Sequence, residues 1–144
     1  MAKRIKTFFL AMTALLVISC GTPPSTSYTG NLPSVDKVEL FKLKKHGDLW
    51  RGEIEAQKVI IDADVQAIAE LWRNQSYSSD SAICHNPGYG IKFYSQNQIV
   101  VYATLCWECN NIEFLNPKVE NYVGFAGKSS QGQELLRTFE NAFQ

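Results

Sequence analysis

The runs Ile91-Lys92-Phe93-Tyr94 and Ile99 to Leu105, separated by Ser95-Gln96-Asn97-Gln98, alternate well enough to read as two paired strands joined by a turn. Side chains on a strand change face at every residue. Ile91 and Phe93 therefore share a face with Ile99, Val101 and Ala103 only where paired positions add to an even number near 192 or 194. A hairpin with one apolar face needs a cover, and the rest of the chain must supply it.

Val38-Glu39-Leu40-Phe41-Lys42-Leu43 predicts a strand ahead of the polar turn Lys44-Lys45-His46-Gly47-Asp48. Gly52 to Asp62 holds a second strand, clearest at Lys58-Val59-Ile60-Ile61. Asp62 or Asp64 can cap a helix that places Val65, Ile68, Ala69 and Trp72 on one face, and the polar run Asn74 to Ser81 ends it. Ile112 to Leu115 and Tyr122 to Phe125 are shorter strands. Ser130, with Gln133 three residues on, forms a capping box for a last helix carrying Leu135, Leu136, Phe139 and Phe143 on one face. The order is β-β-α-β-β-β-β-α. Strands in runs, rather than in strict alternation with helices, predict an α+β fold: a small antiparallel sheet with two helices packed on one face.

At the amino terminus, Lys3, Arg4 and Lys6 precede an apolar core from Thr7 to Ile18, and the small residue Ser19 stands before Cys20. These are the parts of an export signal. The core falls short of the roughly 20 apolar residues that span a bilayer, and Gly21-Thr22-Pro23-Pro24-Ser25 would break a helix at once. The ending Val17-Ile18-Ser19-Cys20 resembles the lipobox of bacterial lipoproteins. The resemblance implies cleavage before Cys20, a diacylglycerol thioether on its sulfur, and an acyl chain such as palmitate on the new amino terminus. Several chains matter, because each buried CH2 contributes about 0.8 kcal/mol and a single chain holds only marginally. Gly21, rather than Asp, after the cysteine implies the outer membrane facing the periplasm in a Gram-negative cell.

The expected organisation is a signal peptide over 1–19, a lipidated cysteine with a flexible Thr/Pro/Ser/Gly-rich tether over 20–36, and a single α+β domain over 37–144. Those 108 residues suffice for one core without disulfides to hold it. Loss of Lys3, Arg4 and Lys6 from the 14 basic residues leaves 11 against 14 acidic ones, a net charge of −3. A mildly acidic domain without a basic run has no electrostatic footprint for nucleic acid. The expected partners are the membrane, through the anchor, and a protein of the envelope.

With Cys20 assigned to lipid, Cys84, Cys106 and Cys109 remain. Extension of the hairpin ladder places Cys84 opposite residues 108–110, beside both thiols of Cys106-Trp107-Glu108-Cys109, although Pro87-Gly88 bends the strand on the way. Three readings follow. An oxidising compartment favours a disulfide from Cys84 to Cys106 or Cys109, with the third thiol buried. The second is zinc: the three thiols with His85 or His46 offer the sulfur and nitrogen ligands of a tetrahedral site, but one C-x-x-C pair is half of the usual signature. The third is thiol-disulfide chemistry. Reactive pairs sit at a helix N-terminus, whereas here a strand precedes the pair and Asn110-Asn111-Ile112-Glu113-Phe114 follows it. Haem attachment fails because Asn110 replaces the histidine of C-x-x-C-H.

Cys84-His85-Asn86-Pro87-Gly88-Tyr89-Gly90-Ile91, taken with Cys106-Trp107-Glu108-Cys109, resembles a group of uncharacterised bacterial exported domains. These pair C-x-x-P-x-[His/Tyr]-G with C-[aromatic]-x-C inside a small α+β domain. The resemblance would cover roughly residues 37–144 and matches Cys84, Pro87, Gly90, Cys106 and Cys109. It implies no activity. Where relatives often carry histidine this chain has Tyr89, so a site of three cysteines and that histidine would lack its fourth ligand here. His85 and His46, as lone loop histidines, read as solvated in the absence of a partner within hydrogen-bond reach. Trp50, Trp72, Trp107, Phe41, Phe93, Phe114 and Phe125 could line a groove, but core packing explains them better. Glu53, Glu55, Asp62 and Asp64 suit turns and caps. No G-x-S-x-G, H-E-x-x-H, P-loop or G-x-G-x-x-G occurs, and no catalytic residue is assigned. The reading is a lipid-anchored, non-enzymatic binding or structural module without a cofactor, the alternative being a zinc or thiol-redox site at Cys84, Cys106 and Cys109.

Overall fold

The computed structural model describes residues 27–44, 53–116 and 122–144. Cys20, His46 and Trp50 lie outside the described residues. A short helical turn, α1 (Ser27–Gly30), leads into β1 (Lys37–Leu43), β2 (Ile54–Ile60), α2 (Asp64–Arg73), β3 (Tyr89–Ser95), β4 (Gln98–Cys106), β5 (Asn111–Phe114), β6 (Tyr122–Gly124) and α3 (Ser130–Ala142). Among the described residues the strands form one open antiparallel sheet, ordered β2-β1-β3-β4-β5-β6. The expected α+β architecture is the one observed. No described helix is long and apolar enough to cross a membrane.

The β3–β4 hairpin turns on Gln96 and Asn97, whose φ values of 50° and 62° make the primed two-residue turn that matches strand twist. Its register is the 194 ladder: Ile91 faces Ala103 and Phe93 faces Val101. That ladder breaks between Phe93 and Tyr94, where Val100 is an extra residue and Tyr94 pairs with Ile99. Ile99 therefore leaves the core face on which it was expected and stands 46% exposed.

Cross-strand rows build the covered face. Leu40, Ile91, Ala103 and Phe114 lie side by side, as do Leu105, Ile112 and Val123. All four expected residues of α2, Val65, Ile68, Ala69 and Trp72, are buried against this face. The Trp72 ring lies 5.4 Å from Phe93 and 6.0 Å from Phe114. From α3 come Leu135 and Phe139, both fully buried, while Phe143 is partly buried. Asp62 stands one residue before the Ala63 N-cap of α2, and its Oδ1 accepts the Asp64 amide at 3.0 Å.

The cap of α3 is Ser129, one residue earlier than expected, with its Oγ accepting the Gly132 amide at 3.0 Å. Gln133 instead donates to the Gly127 carbonyl. Any Cβ at position 132 would stand 2.6 Å from the Ala126 carbonyl oxygen, so this close approach of helix to turn requires glycine.

The expected tether ends earlier than position 36. Thr29, Leu32 and Val35 are buried, and the last two belong to the core. Gln66 donates to the Val35 carbonyl at 2.8 Å, and Arg73 to those of Leu32 and Pro33 at 3.1 and 2.8 Å. Pro- and Ser-rich composition hid two apolar anchors whose backbone partners lie on α2.

Candidate ligand cleft and cysteine cluster

After α2 the chain runs back as an extended strap, residues 75–88, along the β6 edge and the sheet end opposite the helices. Its attachment is through backbone groups: Ser78 N–H to Gly124 O, Ala126 N–H to Ser76 O, and Ala82 N–H to Cys109 O. A Cβ at Gly124 would fall 2.0 Å from the Ser78 carbonyl oxygen, so only glycine admits the strap here. Asn111, itself buried, spends both amide hydrogens on the strap carbonyls of Ala82 (3.0 Å) and Cys84 (2.7 Å).

The strap delivers Cys84 to the turn after β4. Its Sγ stands 2.8 Å from Cys109 Sγ, farther than the about 2.05 Å of a disulfide, and both thiols are free. Cys106 is buried, and its sulfur accepts the Cys109 amide at 3.2 Å. The structure thus places Cys84 by Cys109, where the ladder argument expected it beside both thiols. The contact with Cys109 raises the Cys84 pKa, and burial raises that of Cys109. Raised values keep both groups as thiols at neutral pH, the opposite of what a catalytic thiolate needs.

His85 is buried, with 5% of its side chain exposed, and is not the solvated loop histidine expected. Its Nδ1 lies 2.6 Å from Asn111 Oδ1. Because the Asn111 amide nitrogen is already donating, Oδ1 must accept, so Nδ1 carries the proton. In the neutral ring Nε2 then accepts from Thr104 Oγ1 at 2.7 Å, with Glu113 Oε2 at 3.4 Å and the Tyr122 ring edge-on at 5.3 Å. Burial lowers its pKa, against smaller opposing effects of Asn111 and Glu113. With both nitrogens engaged, His85 is not turned to the sulfurs. Among the described residues no three His, Cys, Asp or Glu side chains gather as a metal-holding group.

Beside the cluster opens a cleft of about 550 Å³. Lys42, Leu43 and Glu55 form its rim on β1 and β2, Asn86, Gly88 and Tyr89 one wall, Cys106 to Glu108 another, and Leu136 and Glu140 of α3 the third. The Trp107 indole is anchored by its N–H to Gly132 O at 3.0 Å and packs edge-on to Tyr89, Phe125 and Phe139. Lys42 and Glu55 pair at 2.9 Å. Asn86 Oδ1 is buried without a hydrogen-bond partner.

Sequence reasoning grouped the cysteines but missed Asn111, Thr104 and Glu113 around His85, and Asn86 and Glu140 in the cleft. One signal was legible: Glu140 occupies the last turn of a helix with no basic residue there. No protein family, curated protein or solved structure matches this chain. The functional reading therefore rests on its own residues.

Proposed function

We propose that this chain is a lipid-anchored protein of the bacterial envelope, held through Cys20, whose folded domain is a ligand-binding module facing the periplasm. The observation that carries the binding role is the cleft: about 550 Å³ is within the roughly 300–1,000 Å³ of small-molecule sites. Anchoring is supported by the lipobox-like Val17-Ile18-Ser19-Cys20 and by Gly21 for the outer membrane.

The cysteines serve this role structurally. Cys84 opens the strap segment that becomes one cleft wall, and Cys109 closes the turn that becomes another. In an oxidising compartment the two thiols close to a disulfide by exchange with an oxidised dithiol partner, which takes up two electrons and two protons. Cys106 stays a buried thiol. The raised thiol pKa values and the engagement of His85 with Asn111 and Thr104 weigh against the redox and zinc alternatives.

Two measurements test this. Full-length protein is expected in the membrane fraction and Cys20→Ser in the soluble fraction; equal partitioning refutes the anchor. A thermal-shift screen of small molecules is expected to return ligands whose effect disappears in Trp107→Ala. Metal at one equivalent, lost together with three newly reactive thiols on chelation, would replace this reading with the zinc site.

A further inference from the structure

We propose that Cys84, Cys109 and Cys106 form an internal thiol–disulfide exchange site, in which the bridge moves from Cys84–Cys109 to Cys106–Cys109 and frees the Cys84 thiol on the strap. It rests on the Cys84–Cys109 disulfide of the binding-module reading and adds a chemical role for Cys106.

Cys109 is the sulfur that both others reach. Cys84 Sγ stands 2.8 Å from Cys109 Sγ. Cys106 Sγ accepts the Cys109 amide at 3.2 Å, and its side chain also hydrogen-bonds with the Cys109 thiol. The amide nitrogen is one bond, about 1.46 Å, from the Cys109 Cα, so these two side chains start within disulfide reach. The three differ in access. Cys106 and Cys109 are buried, whereas Cys84 is exposed and follows residues 79–83, all of them exposed. Untying Cys84 therefore uncovers no packed side chain in that run. The carbonyls of Ala82 and Cys84 stay hydrogen-bonded to Asn111, so the strap keeps its course in either isomer. The position of the bridge then decides how firmly the strap holds the cleft wall of Asn86, Gly88 and Tyr89.

The step balances within the chain. The Cys106 thiolate attacks the Cys109 sulfur, the Cys106–Cys109 bond forms, and the Cys84–Cys109 bond breaks. Cys84 leaves as a thiolate and takes up the proton that Cys106 released. One disulfide and one thiol stand on each side, so no oxidant or reductant is consumed.

The test uses full-length lipidated protein in detergent, oxidised with oxidised glutathione. Acid quenching, maleimide blocking and digestion after Lys92 and Glu108 separate the three cysteines for mass spectrometry. The 84–109 isomer, isolated in acid and brought to about pH 8, near the ordinary thiol pKa of about 8.5, is expected to pass at least about a tenth of its chains to the 106–109 isomer with Cys84 labelled. The converted fraction is expected to be independent of protein concentration. Oxidised Cys84→Ser is expected to form the 106–109 bridge. An 84–109 isomer that does not convert, or Cys84→Ser that keeps both thiols free after oxidation, overturns the proposal and leaves the structural disulfide and the binding module standing. If wild type forms no disulfide at all, the proposal and the disulfide fail together.

Discussion

The two faces of this sheet are held in different ways. On the helix side, rows such as Leu40-Ile91-Ala103-Phe114 meet α2 and α3 through apolar area alone. On the other side, the β4–β6 end is covered by the strap through directed contacts: Asn111 to Ala82 and Cys84, His85 to Asn111 and Thr104, and the Cys84–Cys109 approach. Farther along that side, Lys92 lies over the Phe41 and Tyr102 rings, and Lys37 over Tyr94. Apolar burial is non-directional and spread over many residues, so it sets how stable the domain is. Hydrogen bonds in a buried network depend on every member, so they set where the strap and the cleft wall lie.

That contrast can be broken by experiment. Trp72→Ala is expected to cost the most, about 3–5 kcal/mol in urea unfolding, because a fully buried ring is lost. Its Nε1 has no hydrogen-bond partner, so the loss is one of packing. Cys84→Ser comes next. In oxidised protein, removal of a cross-link spanning 25 positions is expected to cost about 3 kcal/mol, while under reduction variant and wild type converge. A constant difference in both buffers would deny the disulfide.

Asn111→Ala is expected to cost about 2 kcal/mol through the orphaned strap carbonyls and the lost His85 contact. Its signature is faster amide exchange in residues 76–88 with α2 unchanged; uniform acceleration would show that the two faces are not separable. The smallest effect concerns pH. His85 has a pKa below its ordinary 6.5, because burial disfavours the imidazolium. The folded state thus prefers the neutral ring, so this contribution is complete above 6.5 and is lost as pH falls through the lower folded value. Glu113 at 3.4 Å offsets part of the loss. His85→Gln is expected to flatten the acid limb of stability against pH; an unchanged limb would assign it to other groups.

Much of the helix side was legible beforehand. The α2 face was readable because Val65, Ile68, Ala69 and Trp72 follow helical spacing, and the even-sum ladder because strand parity puts Ile91 and Phe93 on one face; the structure chose 194 over 192. Ile99 defeated the same logic: one extra residue at Val100 reverses parity, and no local pattern announces a bulge. In sequence Gln133 favours Ser130 over Ser129 as the cap; the approach of Gly132 to the Ala126 carbonyl decides for Ser129. The strap side was legible only in its cysteines. The partners of His85 come from β4, β5 and β6, and residues 19 to 37 positions away leave no periodic trace.

The sequence by itself determined the class of fold, the order of elements, the apolar helix faces and the parity of the hairpin, because each follows from local periodicity and turn chemistry. It also carries the lipobox-like segment in full, since such a signal is read as linear chain. Tertiary structure alone decided that Leu32 and Val35 join the core, that Cys84 meets Cys109 while buried Cys106 accepts the Cys109 amide, and that His85 is buried in one tautomer. It also decided that Asn86, Trp107 and Glu140 meet around one cleft. Those outcomes depend on which distant backbone groups find partners once the sheet has closed, and that pairing is a property of the whole packed chain.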